Sequence, residues 1–168
     1  MAQIPGVDRE AQLAEMRKLE GMLGRWLGQG ERYLPSGETY AFTQTLEITP
    51  QSGGLIVTIA GQSLPHMENL EERKTKTPGA GSFAVVTYDE TQAAYQFRSF
   101  GFGRMIAAEA ELVDDRIFRW TTAGPVMLRF TIDLREDGVW EEIGERSRDG
   151  GETWEPTNKL TAYRVARR

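Results

Sequence analysis

A chain of 168 residues with 39% hydrophobic side chains can bury one core but not two comfortable ones, so a single domain over 1–168 is expected. Its formal net charge of −5 offers no basic field for phosphates, which argues against nucleic acid as a partner. The lack of any cysteine excludes disulfides, thiolate metal sites, iron–sulfur ligation and a cysteine nucleophile, and suits a reducing, cytoplasmic setting.

The first ten residues, Met1 to Glu10, carry neither a basic region nor a continuous apolar run, so no secretory signal is read there unless one was trimmed. The longest apolar stretch, near Leu55 to Ala60, is far shorter than the roughly 20 residues of a spanning helix, so no membrane is expected as a partner. From Asp8 to Gly24 the period is helical. Leu13, Met16, Leu19 and Leu23 share one face, Asp8 can cap the start, and Gly21 or Gly24 can end it, which predicts a helix over 8–23.

After Gly24 the period becomes two and stays so, which predicts a barrel over 24–166. In the stretch from Glu38 to Ile48, Tyr40, Phe42, Leu46 and Ile48 alternate with Thr39, Thr43, Thr45 and Glu47, and Gln44 falls on the packed face. Val126 to Leu134 repeats the pattern. Further strands are predicted near 24–34, 54–62, 66–76, 82–89, 93–100, 104–111, 115–122, 138–147 and 157–166. Turn chemistry separates them at Pro35-Ser36-Gly37, Pro50 to Gly54, Thr77-Pro78-Gly79, Asp89-Glu90, Asp114-Asp115, Asp137-Gly138 and Asp149-Gly150-Gly151. A meander of about ten or eleven strands without a second helix cannot be a parallel βαβ fold. It is expected to close into an all-β, antiparallel, up-and-down barrel with a short N-terminal helix.

Gly24-Arg25-Trp26 opens the first strand and Tyr163-Arg164 lies in the last. The pair resembles the lipocalin and calycin signature, which implies a structural role for Trp26 and Arg164: an indole plugging the closed end, covered by a guanidinium. Leu23 to Trp26, Phe97-Arg98-Ser99-Phe100, Gly124 to Ile132, Gly138 to Glu145 and Ser147 to Trp154 together resemble a widespread bacterial family of uncharacterised lipocalin-like domains. The resemblance implies a fold similar to lipocalins and fatty-acid-binding proteins and carries no activity. Ser147-Arg148-Asp149-Gly150-Gly151-Glu152-Thr153-Trp154 is also similar to the Asp-box of sialidase propellers. One copy makes no propeller, so Asp149 and Trp154 are read as hairpin chemistry.

Motifs for other chemistries fail on inspection. Gly101-Phe102-Gly103 lacks a third glycine or alanine, since Ile106 stands there, and no strand–helix unit follows. His66-Met67-Glu68 has no cysteine to complete a zinc site, and no metal or other cofactor is expected. His66 is the only histidine, so any imidazole catalysis or haem ligation would fall to it; a surface or rim histidine is the preferred reading. Among the carboxylates, Glu142 and Glu145 have opposite strand parity, while Glu141 and Glu145 share a face about 13 Å apart at roughly 3.3 Å per residue. Neither spacing suits a retaining glycosidase pair, which needs about 5 Å. An ion pair between one of these glutamates and Arg146 or Arg164 is preferred.

Three functions stay open. The favoured one is binding of a small hydrophobic or amphipathic ligand by Tyr40, Phe42, Gln44, Tyr95, Phe97, Phe118, Trp120 and Phe130 on the inward face. The second is a lyase, isomerase or cyclase using Glu142 or His66 as its acid or base, or a pocket tyrosine. The third is a filled barrel acting through protein partners, with oligomerisation open.

Overall fold

The computed structural model describes residues 7–65, 81–101 and 103–166. One helix, α1 (Arg9–Arg17), precedes ten strands: β1 (Gly24–Tyr33), β2 (Thr39–Gln51), β3 (Ile56–Pro65), β4 (Gly81–Asp89), β5 (Ala94–Gly101), β6 (Arg104–Asp114), β7 (Ile117–Thr121), β8 (Met127–Asp133), β9 (Val139–Ser147) and β10 (Glu155–Ala166). Each strand pairs antiparallel with its neighbours in sequence, and β10 returns to pair with β1, so the sheet closes into a barrel without edges. The expected strand over 66–76, and His66 with it, lie outside the described residues. Among the described residues no helix is long and apolar enough to cross a membrane, a statement that does not bear on strands.

The period-two pattern sorts each strand into an inner and an outer face. Trp26, Gln44, Leu46, Ile48, Val57, Val86, Phe97, Phe118, Ile132 and Leu160 point inward and are buried. Ala108 and Ala110 hold the inner face of β6, and their small side chains leave room for the rings on β5 and β7. The hairpin between β9 and β10 satisfies itself. The Asp149 carboxylate accepts from the Thr153 amide and hydroxyl and from the Ser147 hydroxyl. Those bonds, the Thr153 hydroxyl's first, hold it well below the usual carboxylate range. Gly150 and Gly151 adopt φ of 75° and 96°, where L side chains are strained. Trp154 donates to the Gly151 carbonyl at 3.0 Å, and the Arg129 guanidinium lies 3.9 Å over its ring.

One end of the barrel is plugged by the N-terminal helical segment. Asp8 caps α1 by accepting from the Ala11 amide at 3.0 Å. After Arg17 the chain tightens into a 3₁₀ turn over Lys18–Met22, so the helix expected over 8–23 is α-helical only in its first half. The last carbonyls of this segment, which a helix leaves without an internal donor, are satisfied from the barrel. Met22 O accepts from the Trp26 indole at 2.9 Å, while Gly21 O, at 2.7 Å, and Leu23 O accept from the Arg164 guanidinium. Met16, Leu19 and Met22 are buried beneath this turn against the barrel core. Tyr95 donates its hydroxyl to the Glu15 carbonyl at 2.9 Å, and the Glu90 carboxylate accepts from the Asp8 amide and the Gln12 side chain.

Arg164 spans β10 and the plug. Its guanidinium carbon lies 4.1 Å from the Trp26 ring centroid, and that indole meets Trp140 in a T-shaped contact at 5.6 Å. Replacing Arg164 with alanine removes the stack and leaves the Gly21 and Leu23 carbonyls without this donor. The expected cost is about 2 kcal/mol, read from the urea midpoint.

Candidate functional site

Strand register places the inward side chains in rows that cross β8, β9, β10, β1 and β2. Nearest the plug stand Arg164, Trp26 and Leu46, then Trp140, Ala162, Gly28 and Gln44. The next row is Ile132, Glu142, Leu160, Gly30 and Phe42, and beyond it come Phe130, Gly144, Asn158, Arg32 and Tyr40. The rows change character along the axis. Trp26, Trp140 and Ile132 are 1–2% exposed, whereas Phe42, Leu128, Phe130, Glu142 and Asn158 point inward yet are only half-buried. These inward side chains pack on the core and keep accessible surface toward the half of the barrel away from the plug, which is the less closely filled half.

An aromatic column forms one wall of that half. Phe97 and Trp120 stack with centroids 4.7 Å apart and planes 12° apart, and Trp120 and Phe130 stack at 4.3 Å and 9°. The first stack reaches across β6 over Ala108 and Ala110. Phe130 then leans over Gly144, where a Cβ would come within 2.6 Å of its ring and also strike the Asn158 side chain. Glycine at 144 therefore lets Phe130 and Asn158 meet beside Glu142. Phe42 packs on Gly30 in the same way across the barrel, where a Cβ would lie 2.5 Å from the ring.

Glu142 is the acidic group of this lining. The Trp140 indole, two residues back on the same face, donates to its Oε2 at 3.3 Å, and the Asn158 side chain bonds it from β10. Burial pushes the carboxyl up from its ordinary value, and these two donors pull part of the way back. The expected ion pair with Arg146 or Arg164 is not formed. Arg146 binds Glu155 at 3.0 Å, and Arg164 is directed at the plug. Of these glutamates it is Glu145, on the outer face, that forms an ion pair, with Arg129 at 2.8 Å. On β2 and β3, Gln44 accepts from the Ser63 hydroxyl and donates to Thr45 O, which makes a second small polar spot inside.

A raised carboxyl pKa penalises folding as pH rises. At pH below the unfolded value both states are neutral and there is no penalty; above the folded value the native state must hold a buried charge. Glu142→Gln removes that cost. It is expected to be near neutral at pH 4 and to stabilise by about 1 kcal/mol, about 3 °C in Tm, at pH 8. Thermal melts of both proteins at the two pH values check this, and a gain that does not grow with pH would exclude it.

The other sequence-derived candidates are spread between the two ends. Phe42 and Phe130 are half-buried, whereas Gln44, Phe97 and Trp120 are buried. Tyr40 has inward parity at the rim and is 55% exposed. Tyr95 and Phe118 are buried at the plugged end, edge to face at 5.9 Å, and the Tyr95 hydroxyl, pushed above its ordinary pKa by burial first, is spent on Glu15. Sequence reading missed Trp140, Asn158 and Leu128. Trp140 shares Glu142's parity and could have been found, whereas Asn158 enters the site through a bulge between Pro156 and Asn158 that shifts the β9–β10 register. Among the described residues no three histidine, aspartate or glutamate side chains gather as they would around a metal ion.

No model of a known protein family matches this chain, and no curated protein does. Solved structures do. Rv2717c from M. tuberculosis superposes with a TM-score of 0.64 at 10% identity, covering 90% of this chain and 97% of its own. The S-type phycobiliprotein lyase CPES from Guillardia theta gives 0.62 at 11% identity over 94% of each chain. A protein of unknown function in the DUF3598 family, from Nostoc punctiforme PCC 73102, gives 0.56 at 14% identity, with 88% of this chain matching 48% of that one. At such identities the likeness concerns fold alone, and the chain has the fold of the lipocalin-like, calycin-type ten-stranded barrels.

Proposed function

We propose that the barrel binds a small, mainly hydrophobic molecule with one polar end in the hollow opposite the helical plug. The observation that carries this reading is the half-buried state of Phe42, Leu128 and Phe130, which point into a closed barrel beside Glu142 and Asn158. Each packs on the core and still offers apolar surface on the side away from the plug, which a ligand can cover. The stacked column supplies a flat apolar wall, and the polar groups supply orientation.

Native mass spectrometry of the purified protein, with organic extraction, is the direct test. An adduct at one per chain that organic solvent releases is the expected result. A clean apo mass, together with no fluorescence enhancement of added Nile red, would overturn the reading. A second reading, proton transfer by Glu142 within the same hollow, is favoured by one observation, the upward push on its carboxyl. The lyase among the similar structures gives that reading a precedent in fold only.

A further inference from the structure

Glu142 is a carboxylate with an incomplete set of partners. Its two described hydrogen-bond partners, the Trp140 indole and the Asn158 side chain, both donate, so the protein has arranged donors for a charged carboxylate rather than an acceptor for a protonated one. Neither donor carries charge. Each arginine of inward parity near it is engaged elsewhere: Arg32 lies 5.6 Å over the Phe42 ring at the rim, Arg146 binds Glu155, and Arg164 binds the plug. Among the described residues none forms an ion pair with Glu142. Buried carboxylates are costly unless a cation joins them, and here the remaining approach is from the hollow.

The surroundings restrict what that cation is attached to. Phe130 sits diagonally across the β8–β9 ladder from Glu142, about 7 Å away at Cα, and begins the column that runs through Trp120 to Phe97. Parallel rings with this spacing turn their faces to one another and present a continuous apolar edge, against which a flat hydrocarbon body can pack. Leu160, Gly30 and Phe42 continue the row opposite without any further charge.

Taking the ligand-binding reading above as its basis, we infer that the ligand is a flat aromatic or conjugated molecule bearing a protonated nitrogen, and that Glu142 receives that nitrogen while Asn158 and Trp140 hold the carboxylate in place. The nitrogen supplies the cation that none of the described residues brings to Glu142, and the flat body lies along the Phe97–Trp120–Phe130 column. Neutral molecules of the same shape fill the hollow without completing the pair. Anionic ones set a second negative charge against Glu142.

Three naphthalene probes that differ in one group separate these cases by calorimetric titration: 2-naphthylmethylamine, 2-naphthylmethanol and 2-naphthoate. The amine is expected to bind at least tenfold tighter than the alcohol, and the carboxylate weakest. In Glu142→Gln the amine loses its preference and falls to within about threefold of the alcohol measured on the same variant. Equal binding of amine and alcohol in the unaltered protein would overturn the inference, whether or not the variant folds, and so would an amine preference that survives Glu142→Gln. If none of the three binds to protein that still takes up Nile red, the cation is wrong and the hydrophobic-ligand reading stands. If Nile red fails as well and the native mass is apo, the ligand-binding reading itself falls.

Discussion

Trp26→Ala is expected to cost about 3–5 kcal/mol, the largest loss from any single truncation considered. The indole is 1% exposed and is held on every side: Arg164 over one face, Trp140 at its edge, and the Met22 carbonyl accepting from its nitrogen. Alanine would leave a cavity beneath the plug, strip the cation of its π partner, and free a carbonyl that the 3₁₀ turn does not use. Urea unfolding followed by far-ultraviolet circular dichroism reads the loss. A double-mutant cycle with Arg164→Ala is expected to show the two changes to be strongly non-additive, because they remove one shared contact. A loss below about 1 kcal/mol would show that the plug repacks without the indole.

Trp120→Ala deletes the same side chain from the other half of the barrel, and its expected cost is smaller, about 3 kcal/mol. Trp120 stacks on two rings, so two stacking contacts go with it, yet at 9% exposed it stands nearer the margin of the core than Trp26, and its neighbour Phe130 is only half-buried. Half-buried neighbours can close on the gap that truncation leaves there. Nile red affinity is expected to fall about tenfold, since the middle of the flat wall is gone. The comparison of the two variants under one denaturant series is the informative quantity. Equal losses at 26 and 120 would mean that the distal half is packed as tightly as the plugged half, and would remove the basis for a hollow.

Much of this architecture could be read from the chain. The alternation of Tyr40, Phe42, Gln44, Leu46 and Ile48 assigns β2 an inner face, and the structure puts all five at inward register positions. The same holds for Leu128, Phe130 and Ile132 on β8. Periodicity works there because one face of each strand meets a single environment. It fails where an environment is made by distant residues. The carbonyls that end the helical segment are satisfied by Arg164, more than a hundred residues away, and by Trp26, four residues on. The expected pairing of a β9 glutamate with Arg146 or Arg164 counted charges correctly but could not foresee that both arginines find nearer partners. Tyr95 and Phe118 share their parity with the residues of the hollow. Only the axial position, set by cumulative strand stagger, places them at the plug.

The pairing of β1 with β10 has a consequence for how the chain reaches this state. Every other ladder joins strands adjacent in sequence, so nine of the ten can zip as hairpins while the polypeptide is still lengthening. The tenth joins Trp26 to Arg164, and until it forms the sheet is an open ribbon with two unpaired margins and an uncovered indole. Completion is therefore postponed until the ribosome has released the residues of the final strand, and the last contact made is the one that seals the plug. A nascent chain stalled before β10 would present adhesive edges to its neighbours, which makes the delay before closure the interval in which this protein most needs a chaperone.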